Sequence, residues 1–214
     1  MDNFKQKDMF GGFLIPPDNS YIISTALQSE LPQLLPDRIL FTGVGKVNAT
    51  HALTRFLTLH PEVKTVINYG TAGAGYGVKK GEIVKCGVFV QGDMYCGTKL
   101  AKGPGITFGD PDSVAGKLQF SDDAICRTQD SFVENLSSLD LLEHLLDGDK
   151  FNCVDMEAYA LAKVCFLMER DFICYKYISD DATEGAGQEW HQNVAKGEPL
   201  FYEILQQHYN YTMR

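Results

Sequence analysis

The sequence predicts an α/β protein: a single three-layer α/β/α domain built on a central mixed, twisted β-sheet. Two observations carry this. Short apolar runs alternate along the chain with stretches whose apolar residues recur at helical spacing, the pattern of a largely parallel or mixed sheet covered on both faces. Polar, glycine-bearing or acidic turns recur at the ends of those runs, where such sheets bind their ligands. Residues 1–20 form an N-terminal extension and 21–214 the domain.

Tyr21–Thr25 reads as a short buried strand, followed by a helical stretch over Leu27–Leu34 that stops at Pro36. Residues 38–42 are a second strand, ending at Gly43-Val-Gly-Lys46. Ala49, Ala52, Leu53, Phe56 and Leu57 recur at helical spacing from Asn48 to Leu59, and His60-Pro61 closes that helix. Val63–Tyr69 is a strand broken at Gly70-Thr-Ala-Gly-Ala-Gly. Glu82–Val90 and Ala124–Gln129 are strands, and the glycine-rich span 92–118 between them is a long loop, a type more often functional than idle. Ser138–Leu146 is a helix with Ser138 as N-cap, and Phe151–Asp155 a strand. Ala158, Leu161, Cys165 and Met168 give the next helix its apolar face. Phe172–Ile178 is a strand and Trp190–His208 a single closing helix.

Composition excludes several functions. A formal charge of −9, with lysine and arginine scattered, disfavours nucleic acid and anionic membrane surfaces as partners. No segment reaches membrane-spanning length, and Met1–Phe10 lacks a secretory apolar core, so a cytoplasmic location is expected. The six cysteines show no CxxC pair and read as free thiols. The five histidines are dispersed, so no metal is expected.

Gly43-Val-Gly-Lys46 is not a phosphate loop, because Leu40 stands where the first glycine is needed and Val47 where Ser or Thr is. The glycines of 70–77 also miss the dinucleotide spacing. Both stretches still let backbone N–H groups approach a ligand closely. Asp155-Met156-Glu157 puts two carboxylates at a strand-to-helix junction, and Ser179-Asp180-Asp181 follows another strand. Each carboxylate alone reads as a helix cap or surface residue. With Glu30 they place three carboxylate positions at strand ends on one edge of one sheet, the raw material for acid/base chemistry.

Ile67-Asn-Tyr-Gly-Thr-Ala-Gly-Ala74, Val154-Asp-Met-Glu-Ala158 and Tyr177-Ile-Ser-Asp180, in that order, resemble the purine nucleoside phosphorylase/nucleosidase superfamily. Gly43-Val-Gly-Lys-Val-Asn-Ala49 is most similar to its 5′-methylthioadenosine/S-adenosylhomocysteine nucleosidases, as a divergent subgroup. The resemblance spans about 20–205 and implies a nucleoside phosphorylase/hydrolase-like fold that hydrolyses an adenine nucleoside without a cofactor. It implies Glu30 as the base that activates water and Asp180 as the acid at N7 of adenine, oriented by Ser179. Glu157 would hold the ribose hydroxyls and Met156 line the sugar. Phe132 would stack on the purine, Val133 would supply backbone hydrogen bonds to it, Thr71 would lie by the nucleophile's pocket, and Gly73 would belong to the substrate-binding set. Asp93, in the divergent loop, approaches the pocket on this reading. The resemblance also implies a homodimer, with a partner completing the 5′ pocket.

Two departures stand out: the span from Glu30 to Gly43 is short, and residues 1–20 have no counterpart. The alternatives are a phosphate-dependent nucleoside phosphorylase and a nucleoside-binding sensor without turnover. Phosphate recruits arginine. None of Arg38, Arg55, Arg127, Arg170 and Arg214 lies in the turn motifs, although Arg38 and Arg127 sit at or in strands from which a pocket is within reach. Glu30, Glu157 and Asp180 together argue against a mere sensor.

Overall fold

A computed structural model describes residues 21–33, 39–93, 117–136 and 150–209. Along them run β1 (Tyr21–Thr25), one 3-10 turn (Gln28–Glu30), β2 (Ile39–Phe41), α1 (Lys46–Leu59), β3 (Thr65–Ala74), β4 (Ile83–Gln91) and β5 (Lys117–Gln119). These are followed by β6 (Ala124–Thr128), β7 (Cys153–Asp155), α2 (Ala158–Leu167), β8 (Asp171–Asp180), α3 (Ala186–Asn193) and α4 (Glu198–Tyr209).

The strands form one mixed sheet. β2, β1, β3 and β8 lie parallel in that order. β8 then runs antiparallel to β4, which is parallel to β6, which is parallel to β7. The end of β3 pairs antiparallel with β7, so β3, β8, β4, β6 and β7 close into a ring. Strand alternation sends side chains to two helical layers. Ile22 and Val66 join the core made with Leu53, Phe56 and Leu57 of α1 and Leu161 and Cys165 of α2. Their neighbours Tyr21, Ile23, Ile67 and Tyr69 face Phe201 and Leu205 of α4 on the other side. Each large aliphatic or aromatic side chain so buried contributes roughly 1.5–3 kcal/mol.

Several expectations change. The helix over 27–34 does not form in its described part: Glu30 folds back to accept hydrogen bonds from the backbone of Ala26 and Leu27, which leaves one tight turn before Pro32. β3 does not break at Gly70. It is hydrogen-bonded to β8 along its length and to β7 at its end, and these pairings outweigh the weak strand preference of its glycines. The single closing helix is two helices. Gly197 sits between them, where a Cβ would come within 2.3 Å of the Tyr69 hydroxyl and 2.4 Å of Tyr177 Cγ, so the chain turns there against the sheet. The expected loop 92–118 gives way to β5 at its end, and its residues 94–116 lie outside the described ones, as do the helix over 138–146, residues 1–20 and Arg38. No helix among the described residues is long and apolar enough to cross a membrane.

Candidate active site

A pocket of about 200 Å³ opens at the carboxyl ends of β3, β7 and β8. Glu30, Thr71, Gly73, Phe132, Val133, Met156, Glu157, Ser179 and Asp180 all line it. Asp93 is not among the lining residues. Its carboxylate instead takes the Lys46 ammonium at 2.6 Å and the Asp130 N–H at 2.9 Å. Asp130 in turn accepts the Lys46 N–H, so this triad pins the start of α1 to the segment after β6.

The tight turn after β1 exists around Glu30. Its Oε2 accepts hydrogen bonds from Thr25 Oγ1 and the Ala26 and Leu27 N–H groups, and its Oε1 from Thr71 N at 2.8 Å and Thr71 Oγ1 at 2.9 Å. The side chain is buried and fixed from both ends. Of its five donors, three are backbone groups that cannot turn away. Of the two hydroxyls, that of Thr71 belongs to a pocket-lining residue, so a water using Glu30 would displace that one. Trp190 Nε1 donates to the same Thr71 Oγ1 at 2.9 Å and lines the pocket from α3. The sequence places Trp190 only as a helix residue; its one available sign is being the chain's sole tryptophan, ten residues after Asp180.

The two carboxylates at 155 and 157 divide their work. Asp155 does what a carboxylate at a helix start ordinarily does, accepting the Glu157 and Ala158 N–H groups. It also pairs with the fully buried Lys176 at 2.7 Å. Burial works to raise the Asp155 pKa, but Lys176 and the Thr128 hydroxyl outweigh it and hold the carboxyl below its ordinary value. Glu157 faces the opposite balance. Burial, then the neighbouring Asp155 charge, push it up to about 8 against the pull of Lys176. Its Oε1 accepts the Gly45 N–H at 2.8 Å. That contact needs the turn before α1, where Gly43 and Gly45 have φ of 77° and 91°, a region L-residues with a Cβ rarely adopt.

Asp180 ends β8. Its Oδ2 accepts Ser179 Oγ at 2.8 Å and its Oδ1 the Ala182 N–H at 3.0 Å, while burial raises its pKa. Gly73 leaves room for it: a Cβ there would stand 2.9 Å from Asp180 Oδ1. Met156 and Val154 form an apolar wall, Val133 is buried behind it, and Phe132 stands 46% exposed at the mouth. No lysine or arginine is among the lining residues described. Arg127 is not one of them and donates to the Gly92 carbonyl and Gln129 Oε1. The site therefore offers protonatable carboxyls, hydrogen-bond acceptors and apolar walls, and a neutral, partly apolar ligand with hydroxyls suits it.

An α/β domain with this carboxyl-lined pocket at its strand ends has recognisable relatives. The chain belongs to the phosphorylase superfamily, whose family model it matches over residues 38–207. Among solved structures it resembles the S-adenosylhomocysteine nucleosidase of Streptococcus pyogenes in complex with 5-methylthiotubericidin (20% identity, TM-score 0.67, 86% of this chain and 93% of that one). It also resembles the futalosine hydrolase of Helicobacter pylori (17%, 0.69, 87% and 95%) and the 5′-methylthioadenosine/S-adenosylhomocysteine nucleosidase of Neisseria meningitidis (21%, 0.67, 87% and 98%). Comparison with curated proteins gives no match.

Proposed function

We propose that the pocket hydrolyses the N-glycosidic bond of an adenine nucleoside such as 5′-methylthioadenosine or S-adenosylhomocysteine, releasing adenine. The observation that carries this is the convergence of Glu30, Glu157 and Asp180 on one pocket, with two of the three carboxyls pushed towards their protonated forms. Relatives of the same fold are nucleosidases and a futalosine hydrolase, which supports the reaction class.

In this reading Asp180, held by Ser179 and Ala182, gives its proton to N7 as the C1′–N9 bond breaks and the bond's electron pair passes to the base. Glu157 holds the ribose hydroxyls beside Met156. Its carboxyl offers both a donor and an acceptor to the sugar, and the Gly45 N–H orients it. Water adds to C1′ and its proton passes to Glu30 once the Thr71 hydroxyl has turned away. Phe132 stacks on the purine, Val133 offers its backbone to the base, and the small Gly73 lets the ligand and Asp180 lie close together. Each acid or base step is worth roughly 100- to 10,000-fold. The absence of lysine and arginine from the described lining favours water over phosphate as the nucleophile.

A homodimer fits the same reading: Val44 and Phe132 are exposed at the pocket mouth and Val47 lies one turn further on, an apolar rim for a second copy to cover. The test is incubation with 5′-methylthioadenosine, with and without phosphate, followed by chromatography. Adenine release without phosphate is expected. Strict phosphate dependence would make the protein a phosphorylase, and tight binding without adenine a sensor.

A further inference from the structure

Three cysteines that lie far apart in sequence meet inside the strand ring. Cys86 of β4, Cys126 of β6 and Cys153 of β7 are buried, and their sulfurs all lie within 4.8 Å of one another, with Cys86 and Cys153 at 3.6 Å. The backbone is shaped to bring them together. Cys126 and Cys153 are register partners across β6 and β7, so their side chains share a face. Cys86 would point the other way from Phe89, the β4 partner of Cys126, if β4 were regular. A register shift between Cys86 and Val88 turns it onto the same side, and all four residues sit in one core. That irregularity requires Gly87, where a Cβ would overlap Ser121 Oγ at 2.0 Å.

We infer that Cys86, Cys126 and Cys153 form a three-thiolate site for a thiophilic divalent ion of the zinc class. Zinc–sulfur bonds of about 2.3 Å put tetrahedral sulfurs about 3.8 Å apart and trigonal ones about 4.0 Å, against 3.6 Å for Cys86 and Cys153 and at most 4.8 Å for the other pairs. Soft thiolates without nitrogen or oxygen ligands select such ions over magnesium or calcium. Binding replaces three S–H bonds with three metal–sulfur bonds, releases three protons and leaves one net negative charge. The nearest buried charges are the Lys176–Asp155 ion pair, whose ammonium favours the Cys153 thiolate while its carboxylate opposes it. Cys174, opposite Cys86 across β4 and β8, is the adjacent fourth thiol and donates to Asn68 Oδ1 at 3.4 Å. Cys153 is two residues before Asp155, so an ion here would tie together the strands directly beneath the pocket.

Because the thiols are sealed from solvent, the ion enters as the chain folds. The full chain is unfolded in denaturant under reductant, refolded with equimolar zinc(II), freed of loose metal, and assayed for bound zinc. Stoichiometric zinc is expected in the unsubstituted protein and in Cys165→Ala, whose thiol is outside the trio, and background zinc in Cys86→Ala and Cys153→Ala. Equal zinc in all four, or none in the unsubstituted protein, overturns the assignment. Should the trio variants fail to refold, cadmium(II) on the unsubstituted chain decides. Thiolate-to-cadmium charge-transfer absorption with release of three protons per ion is expected, and its absence overturns the site.

Discussion

Asp180→Asn is the sharpest test of the proposed chemistry, because the structure lets the substitution remove a proton donor and little else. Asp180 Oδ1 accepts the Ala182 N–H, and an asparagine oxygen in that place keeps the bond. Oδ2 accepts the Ser179 hydroxyl at 2.8 Å, and an amide NH₂ there cannot. The Ser179 Oγ, however, also lies 3.3 Å from the Ala72 carbonyl. Its proton can turn to that carbonyl while its lone pair accepts from the new amide, so no buried polar group is orphaned. The expected loss of stability is therefore under about 1 kcal/mol. The loss of the proton donor should lower kcat by roughly 100- to 10,000-fold, which at 1.36 kcal/mol per tenfold is about 3–5 kcal/mol of transition-state stabilisation. Steady-state adenine release read beside urea unfolding separates the two quantities, and calorimetry with 5′-methylthioadenosine reports retained binding. A variant within a few-fold of the parent kcat would remove Asp180 from the acid role, and one that unfolds early would show that the exchange of partners at Ser179 does not take place.

Trp190→Phe keeps an aromatic ring but deletes the indole N–H bond to Thr71, worth about 0.5–1.5 kcal/mol; kcat should fall about 2- to 13-fold with KM little changed, and an unaltered kcat would mean that Trp190 does not help position Glu30. Glu157 makes stability depend on pH. With its pKa raised from the ordinary 4.5 to about 8, the folded protein holds a proton that the unfolded chain has already released, so unfolding free energy should fall as pH rises between those values. The full shift corresponds to at most about 5 kcal/mol, and Glu157→Gln should flatten the slope in denaturant titrations. Lys176→Met leaves Asp155 buried without its cation and should cost roughly 3–5 kcal/mol by the same measurement, part of which Asp155→Asn should restore in the double variant. Gly197→Ala drives a methyl into Tyr69 and Tyr177 and should lower stability by about 1–3 kcal/mol; an unchanged unfolding midpoint would show that the approach of α4 to the sheet is loose.

What a sequence displays depends on how far apart the interacting residues stand. Alternation of strand and helix is a property of neighbours, and β1, β4, β6, α2 and most of β8 are legible from it. Strand ends collect polar turns, so Glu30, Thr71, Glu157 and Asp180 are legible in the sequence, and the structure brings them to one pocket. Features that depend on pairing across the sheet are not legible in this way. The glycines of 70–74 read locally as a break, yet they are strand because β8 and β7 supply hydrogen bonds to both sides and because Asp180 needs the space a side chain would take. Nothing in Asp155-Met-Glu157 says which carboxylate caps the helix and which takes the Gly45 N–H; Lys176, about twenty residues later, pairs with the first. The apolar spacing of 190–208 is equally good for one helix or two, and the interruption comes from Tyr69 and Tyr177 pressing on Gly197. The cysteine trio is the extreme case. Its members are separated by 40 and 27 positions, show none of the short spacings by which thiol ligands announce themselves, and meet only because the ring closes and one residue of β4 bulges. A ligand set assembled by ring closure in this way leaves no local signature, and inspection of residue spacing alone would pass over it in any chain that folds like this one.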